Sequence, residues 1–124
     1  MNREELLSLY MDLNRSDIEN KEKAEQITML CDKAKAIHDD GLLLFFQMRV
    51  AALREEHSEC IRMCEEILDG KPEGLIHAET LRLCGNCLAR IGKLTEAISK
   101  YDDAISRFGE SSKPAVQWQV AGAL

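Results

Sequence analysis

Two cysteine pairs and one polar stripe are the residues here whose types and spacing could do chemistry. Cys60-x3-Cys64 and Cys84-x2-Cys87 space their thiols as metal-binding thiolates are spaced, and His77 stands close enough in sequence to join the second pair. Zinc takes four tetrahedral thiolate or imidazole ligands, and paired Cys-x2-Cys knuckles usually sit on turns. Both pairs here fall inside helical patterns, where an unbridged cysteine is also a common small buried side chain. Packing is therefore the expected role, with no metal and no cofactor; zinc is the alternative. The polar stripe is Arg82, Asn86 and Arg90, spaced four residues apart and hence on one helical face. Guanidinium groups can grip a carboxylate through two hydrogen bonds, and an asparagine can satisfy a peptide group. No phosphate-cradling glycine loop, HExxH or GxSxG accompanies them, so no catalytic residue is assigned and the chain is expected not to be an enzyme. The acid pairs Glu65-Glu66 and Asp102-Asp103 read as solvated helix faces.

Composition narrows the elements that must position these residues. The chain has 124 residues, 45% hydrophobic but only 5% aromatic, so small and medium apolar side chains do most of the packing. Stacked helices with closely approaching backbones suit that supply. Only two prolines interrupt the chain, and no useful alternating apolar-polar run is present, so strands are expected to be absent. The formal net charge of -6 argues against a nucleic acid as the main ligand, which would need a basic footprint. Residues 1–5 carry acids directly after Arg3 and lead into no apolar segment, so a signal peptide is not expected. The longest apolar run, residues 41–46, is far too short to span a bilayer. Five cysteines without an export signal fit a reducing compartment. A cytoplasmic location, with no membrane partner, is expected.

The most informative stretch is 78–109, two amphipathic segments joined at Gly92-Lys93. Leu81, Cys84, Gly85 and Leu88 recur at helical spacing on the first; Ala97, Tyr101, Ala104 and Ile105 do so on the second. Gly85, Ala97 and Ala104 are the small residues a close helix crossing would need. This stretch resembles the tetratricopeptide repeat, whose pattern is W-x2-L-G-x2-Y, then A-x3-F, then P. The match reads Leu81-x2-Cys84-Gly85-x2-Leu88 and then Ala97-x3-Tyr101, with Gly109 where the family's proline usually stands. Cys60, Cys64 and Ile67 lie 37 residues before Ala97, Tyr101 and Ala104, against a family period of about 34. The same offset pairs Leu44, Met48 and Ala51 with Leu81, Gly85 and Leu88, and places Trp118-x2-Ala121-Gly122 over Leu81-x2-Cys84-Gly85.

Taken in order, residues 4–13 read as a short helix with Leu6, Leu7, Leu9, Tyr10 and Leu13 on its apolar side. Ser16-Asp17-Ile18-Glu19 fits a capping box for a long helix running to about His38. Asp39-Asp40-Gly41 reads as its stop, with glycine turning left-handed. A helix over 42–54 follows, then a turn at 55–57 and a helix capped by Ser58 that ends near Gly70.

The resemblance implies an all-α fold, a right-handed stack of antiparallel helical hairpins in one domain. Its parts would be degenerate repeats over 1–40 and 41–74, the best match over 75–111, and the start of a further repeat or a capping helix over 112–124. It also implies a concave groove lined by the first helix of each hairpin: Glu79, Arg82, Asn86, Ala89 and Arg90 in the best repeat, and Leu42, Phe45, Arg49, Ala52 and Leu53 in the preceding one. Some family members clamp a partner's acidic C-terminal tail with a basic residue and an asparagine at this spacing. The expected function is a non-catalytic scaffold that binds another protein or peptide carrying acidic residues. The alternatives are a regulatory N-terminal part of a longer protein and a self-association module working through the C-terminal end, where Trp118, Val120 and Leu124 seek cover.

Overall fold

The computed structural model describes residues 1–108. Among them are six α-helices and no strand: α1 Arg3–Arg15, α2 Asn20–Ala36, α3 Asp40–Leu53, α4 His57–Asp69, α5 Gly74–Arg90 and α6 Leu94–Phe108. The expectation of an all-helical chain is met at that level. None of these helices is long and apolar enough to cross a membrane. The expected features over 109–124, including Trp118-x2-Ala121-Gly122 and the C-terminal association surface, lie outside the described residues.

Several helix ends differ from the sequence expectation, each for a local reason. The capping box belongs to Asn2 and Glu5, at the start of α1: the Asn2 side chain accepts from the Glu5 N–H at 2.9 Å, and Glu5 accepts from the Asn2 N–H at 3.3 Å. Ser16 closes α1 instead of opening α2, its hydroxyl donating to the Leu13 carbonyl at 2.6 Å. Helix α2 begins after Glu19 with no side-chain cap. Its stop is His38, not Gly41: His38 takes φ 56°, and the Asp39 N–H reaches back to the Ala34 carbonyl at 3.1 Å, a Schellman closure. Gly41 already lies inside α3, whose cap is Asp39 accepting from the Leu42 N–H at 3.0 Å. Ser58 likewise sits inside α4. The same closure ends α3 at Glu55 (φ 59°) and α5 at Gly92 (φ 87°); only the last uses the residue that adopts this conformation without strain.

The helices group into two compact units, Met1–Glu56 and a second beginning at His57. The division falls within the stretch expected to form the second repeat, 41–74. In the first unit α2 packs against both α1 and α3. Its core is built on three rings: Tyr10 lies 5.0 Å from Phe45 and 5.9 Å from Phe46, and the two phenylalanines are 5.9 Å apart. All three are fully buried, together with Leu6, Ile27, Ala34, Leu42 and Met48. At one end of α3, Arg3 binds the Asp39 carboxylate at 2.5 Å. Burial works to raise the Asp39 pKa, but the bond from Arg3, the Leu42 N–H and the Arg3 charge outweigh it and hold the carboxyl below its ordinary range.

In the second unit α5 packs against both α4 and α6. Of the positions singled out for their spacing, Leu81, Cys84 and Leu88 on α5 and Ala97, Tyr101 and Ala104 on α6 are each at most 3% exposed, while Ile105 is half-buried. Gly85 makes the α5–α6 approach feasible. A Cβ built there would stand 2.5 Å from Tyr101 Cε1 and 2.8 Å from Cδ1, so the tyrosine ring occupies the space any larger residue would take.

Candidate functional site

The site is the outward side of α5 next to the Gly85–Tyr101 crossing. Because the Tyr101 ring lies across Gly85, its hydroxyl is carried past the crossing to the following residue. It donates to Asn86 Oδ1 at 2.5 Å. That bond fixes the orientation of the half-buried Asn86 amide and leaves its NH2 without a partner among the described residues. Burial pushes the Tyr101 pKa up and Cys87 adds to the shift, while the positive charges of Arg82 and Arg90 oppose it. The stripe therefore surrounds the tyrosine hydroxyl electrostatically as well as by spacing.

The two arginines are in different states. Arg82 is paired with Glu79 one turn earlier by two bonds, Nε to Oε1 at 3.0 Å and Nη2 to Oε2 at 2.8 Å. The pair is mostly shielded, with the side chains 19% and 14% exposed. Arg90, at the C-terminal turn of α5, is exposed. The face thus presents one solvated guanidinium, one fixed amide and one guanidinium already held by a carboxylate. Such a set can hydrogen-bond a carboxylate or a peptide carbonyl.

Of the residues expected to line a groove, Glu79, Arg82, Asn86 and Arg90 share this helix. Phe45 and Arg49 are engaged within the first unit. The Phe45 ring is fully enclosed between Tyr10 and Phe46, so it is a core residue and offers a ligand no surface. This corrects the expectation that it forms an apolar groove floor. Arg49 donates through Nη2 to Asn14 Oδ1 at 2.9 Å, while Lys23 donates to the Asn14 carbonyl at 3.3 Å. Two cations thus converge on the C-terminal turn of α1, where helix carbonyls carry partial negative charge. Sequence reasoning missed Tyr101 as a site residue. The available signal was the tyrosine assigned to a glycine crossing with an asparagine directly after that glycine.

The cysteines are arranged for packing. All five are buried thiols. Cys60 and Cys64 lie 4.0 Å apart sulfur to sulfur. Hydrogen bonding to Cys60, then to Cys84, and burial all raise the Cys64 pKa. Burial and the neighbouring Asp32 push Cys31 up to about 11, so these groups hold their protons near neutrality. His77 stands edge-on to the Phe108 ring at 5.2 Å. Among the described residues no three histidine, cysteine or acidic side chains come together as a metal-ligand set. No family model matches the chain, and neither a curated protein nor a solved structure does.

Proposed function

We propose that this chain is a non-catalytic, cytoplasmic helical-repeat scaffold of the tetratricopeptide kind, and that the Asn86–Arg90 face of α5 holds an acidic segment of a partner protein. The observation that carries the reading is the bond from Tyr101 to Asn86. A surface asparagine normally loses side-chain freedom when it binds; this one is already held, so less entropy is lost on association. Arg90 supplies the unpaired positive charge beside it. Burial of Leu81, Cys84, Leu88, Ala97, Tyr101 and Ala104 around the Gly85 crossing supports the repeat reading of the same stretch.

The test is fluorescence anisotropy with a labelled peptide pool rich in Asp and Glu and ending in a free carboxylate. A Lys-rich pool of equal length is the control. The acidic pool should bind, and binding should weaken as salt rises. Arg90→Ala should weaken it about tenfold, the equivalent of one charge-assisted bond of roughly 1.5 kcal/mol. Tyr101→Phe keeps the ring over Gly85 and releases Asn86, so it should weaken binding less. Glu79→Gln, which removes a negative charge and lets Arg82 turn outward, should strengthen it. Equal affinity for the two pools, or affinity unchanged in Arg90→Ala, would refute the proposal.

A further inference from the structure

The first unit has a surface that the α5 reading does not use. Between α1 and α2 runs an open groove of about 570 Å³ lined by Leu9, Asp12, Leu13, Gln26, Met29, Leu30 and Lys33. Met29 is 62% exposed and Leu9 38%. Leu9 and Met29 line the same groove, so the apolar surface exposed here is contiguous and not scattered. Its unbranched thioether can adapt to an irregular apolar surface.

Charge is distributed unevenly along the groove. Helices α1 and α2 are joined by only four residues, 16–19, so they run antiparallel as neighbours do across short connections. Asp12 and Gln26 therefore lie at the end of the groove near the turn. Lys33, seven residues beyond Gln26, lies about 10 Å further along the axis at the other end. Asp12 and Lys33 have no side-chain partner among the described residues. The groove is thus apolar along its length, acidic at one end and basic at the other. A twofold axis through its middle lays the acidic end of one copy on the basic end of the next. Such an interface is isologous: a residue meeting another across the axis is met by it in return.

We infer that the α1–α2 groove is a self-complementary dimer surface, whose occupant is the same groove of a second copy. The Met29 of each copy inserts against the Leu9, Leu13 and Leu30 of the other. Asp12 pairs with the other copy's Lys33 at both ends of the contact. The four helices brought together bury apolar side chains that α1 and α2 alone leave in water. This surface shares no residue with the α5 face or with the C-terminal positions 118–124.

Sedimentation velocity of the full chain, from low micromolar to submillimolar concentration, tests it. The apparent mass should rise from 14.0 kDa toward about twice that value as a closed dimer forms. Met29→Glu should leave a monomer throughout. Asp12→Lys and Lys33→Asp should each weaken association, by setting like charges opposite one another. An equimolar mixture of these two variants, or the chain carrying both changes, should recover it, because each restores an acid facing a base. All three positions are at the surface or the groove rim, and unchanged melting curves would confirm that the variants fold. A monomer at every concentration would overturn the inference. So would association that survives Met29→Glu, or single charge reversals that the mixture and the double variant both fail to rescue. Higher oligomers in place of a dimer would also overturn it, since a closed twofold contact stops at two.

Discussion

The two units solve the same problem of bringing helices together in opposite ways. In the second, α5 and α6 meet by subtraction: Gly85 presents no side chain and Tyr101 fills the gap. In the first, helices meet by addition. Tyr10, Phe45 and Phe46 cluster three rings where α1 and α3 supply bulk. The two arrangements leave different groups at the surface. Subtraction brings two backbones so close that the tyrosine hydroxyl passes the crossing and reaches Asn86 on the outer side. Addition consumes the aromatic residues in the core and leaves Leu9 and Met29 outside it, beside a groove.

The largest effects are expected from substitutions at these two packing sites. Phe45→Ala removes a fully buried ring whose neighbours are also rings, and should destabilise the protein by about 3–5 kcal/mol, measured by urea unfolding. The effect at Gly85 runs the other way, since there the damage comes from adding atoms. Gly85→Ala should gain about 1 kcal/mol of helix propensity but lose roughly 1–3 kcal/mol to overpacking against Tyr101. The net is a loss, and the near-ultraviolet tyrosine signal should change with it. If Gly85→Ala were stabilising, the crossing would be looser than described.

Smaller effects lie at the helix ends. Asp39→Ala removes both the cap of α3 and the partner of Arg3, and should cost about 1 kcal/mol near neutrality. The folded protein holds this carboxyl below its ordinary value of 3.8. Its stabilisation is therefore fully present above that pH and is lost as pH falls through the lower folded value. The gap between wild type and Asp39→Ala should close in acid and not in alkali. Glu55→Gly acts in the opposite sense. Glu55 occupies a left-handed conformation at φ 59°, so glycine there should raise stability by up to about 1 kcal/mol. Gly92, already glycine at the matching place after α5, sharpens the contrast: Gly92→Ala should lower it by a similar amount.

The α5–α6 hairpin was legible in the sequence because its constraint is written in residue size. Gly85, Ala97 and Ala104 at helical spacing leave few other arrangements for Tyr101, and the turn at Gly92 falls where expected. The first unit was harder to read. Phe45 looks the same in sequence whether it lines a groove or fills a core, and its partner Tyr10 is 35 positions away. The helix ends misled for a related reason. Ser16 can bond forward to an N–H or back to a carbonyl, and the choice made here, to Leu13, depends on where the chain leaves α1. Gly41 suggested a stop because glycine tolerates left-handed backbone, yet His38 adopts it three residues earlier, where the Schellman bonds to Ala34 and Lys35 can form. The polar stripe on α5 was visible as spacing. Invisible were the pairing of Arg82 with Glu79 and the locking of Asn86 by Tyr101, which together separate a held guanidinium from an available one.

The direct measurement is a two-dimensional nitrogen–proton NMR titration of the isotopically labelled chain with an acidic peptide, following the Asn86 side-chain amide and the backbone of α5. The Asn86 NH2 signals and the amides around Arg90 should shift first and saturate together, while those of α1 and α2 stay in place. Shifts confined to α1 and α2, or an Asn86 side chain that does not respond at saturating peptide, would contradict the proposed function.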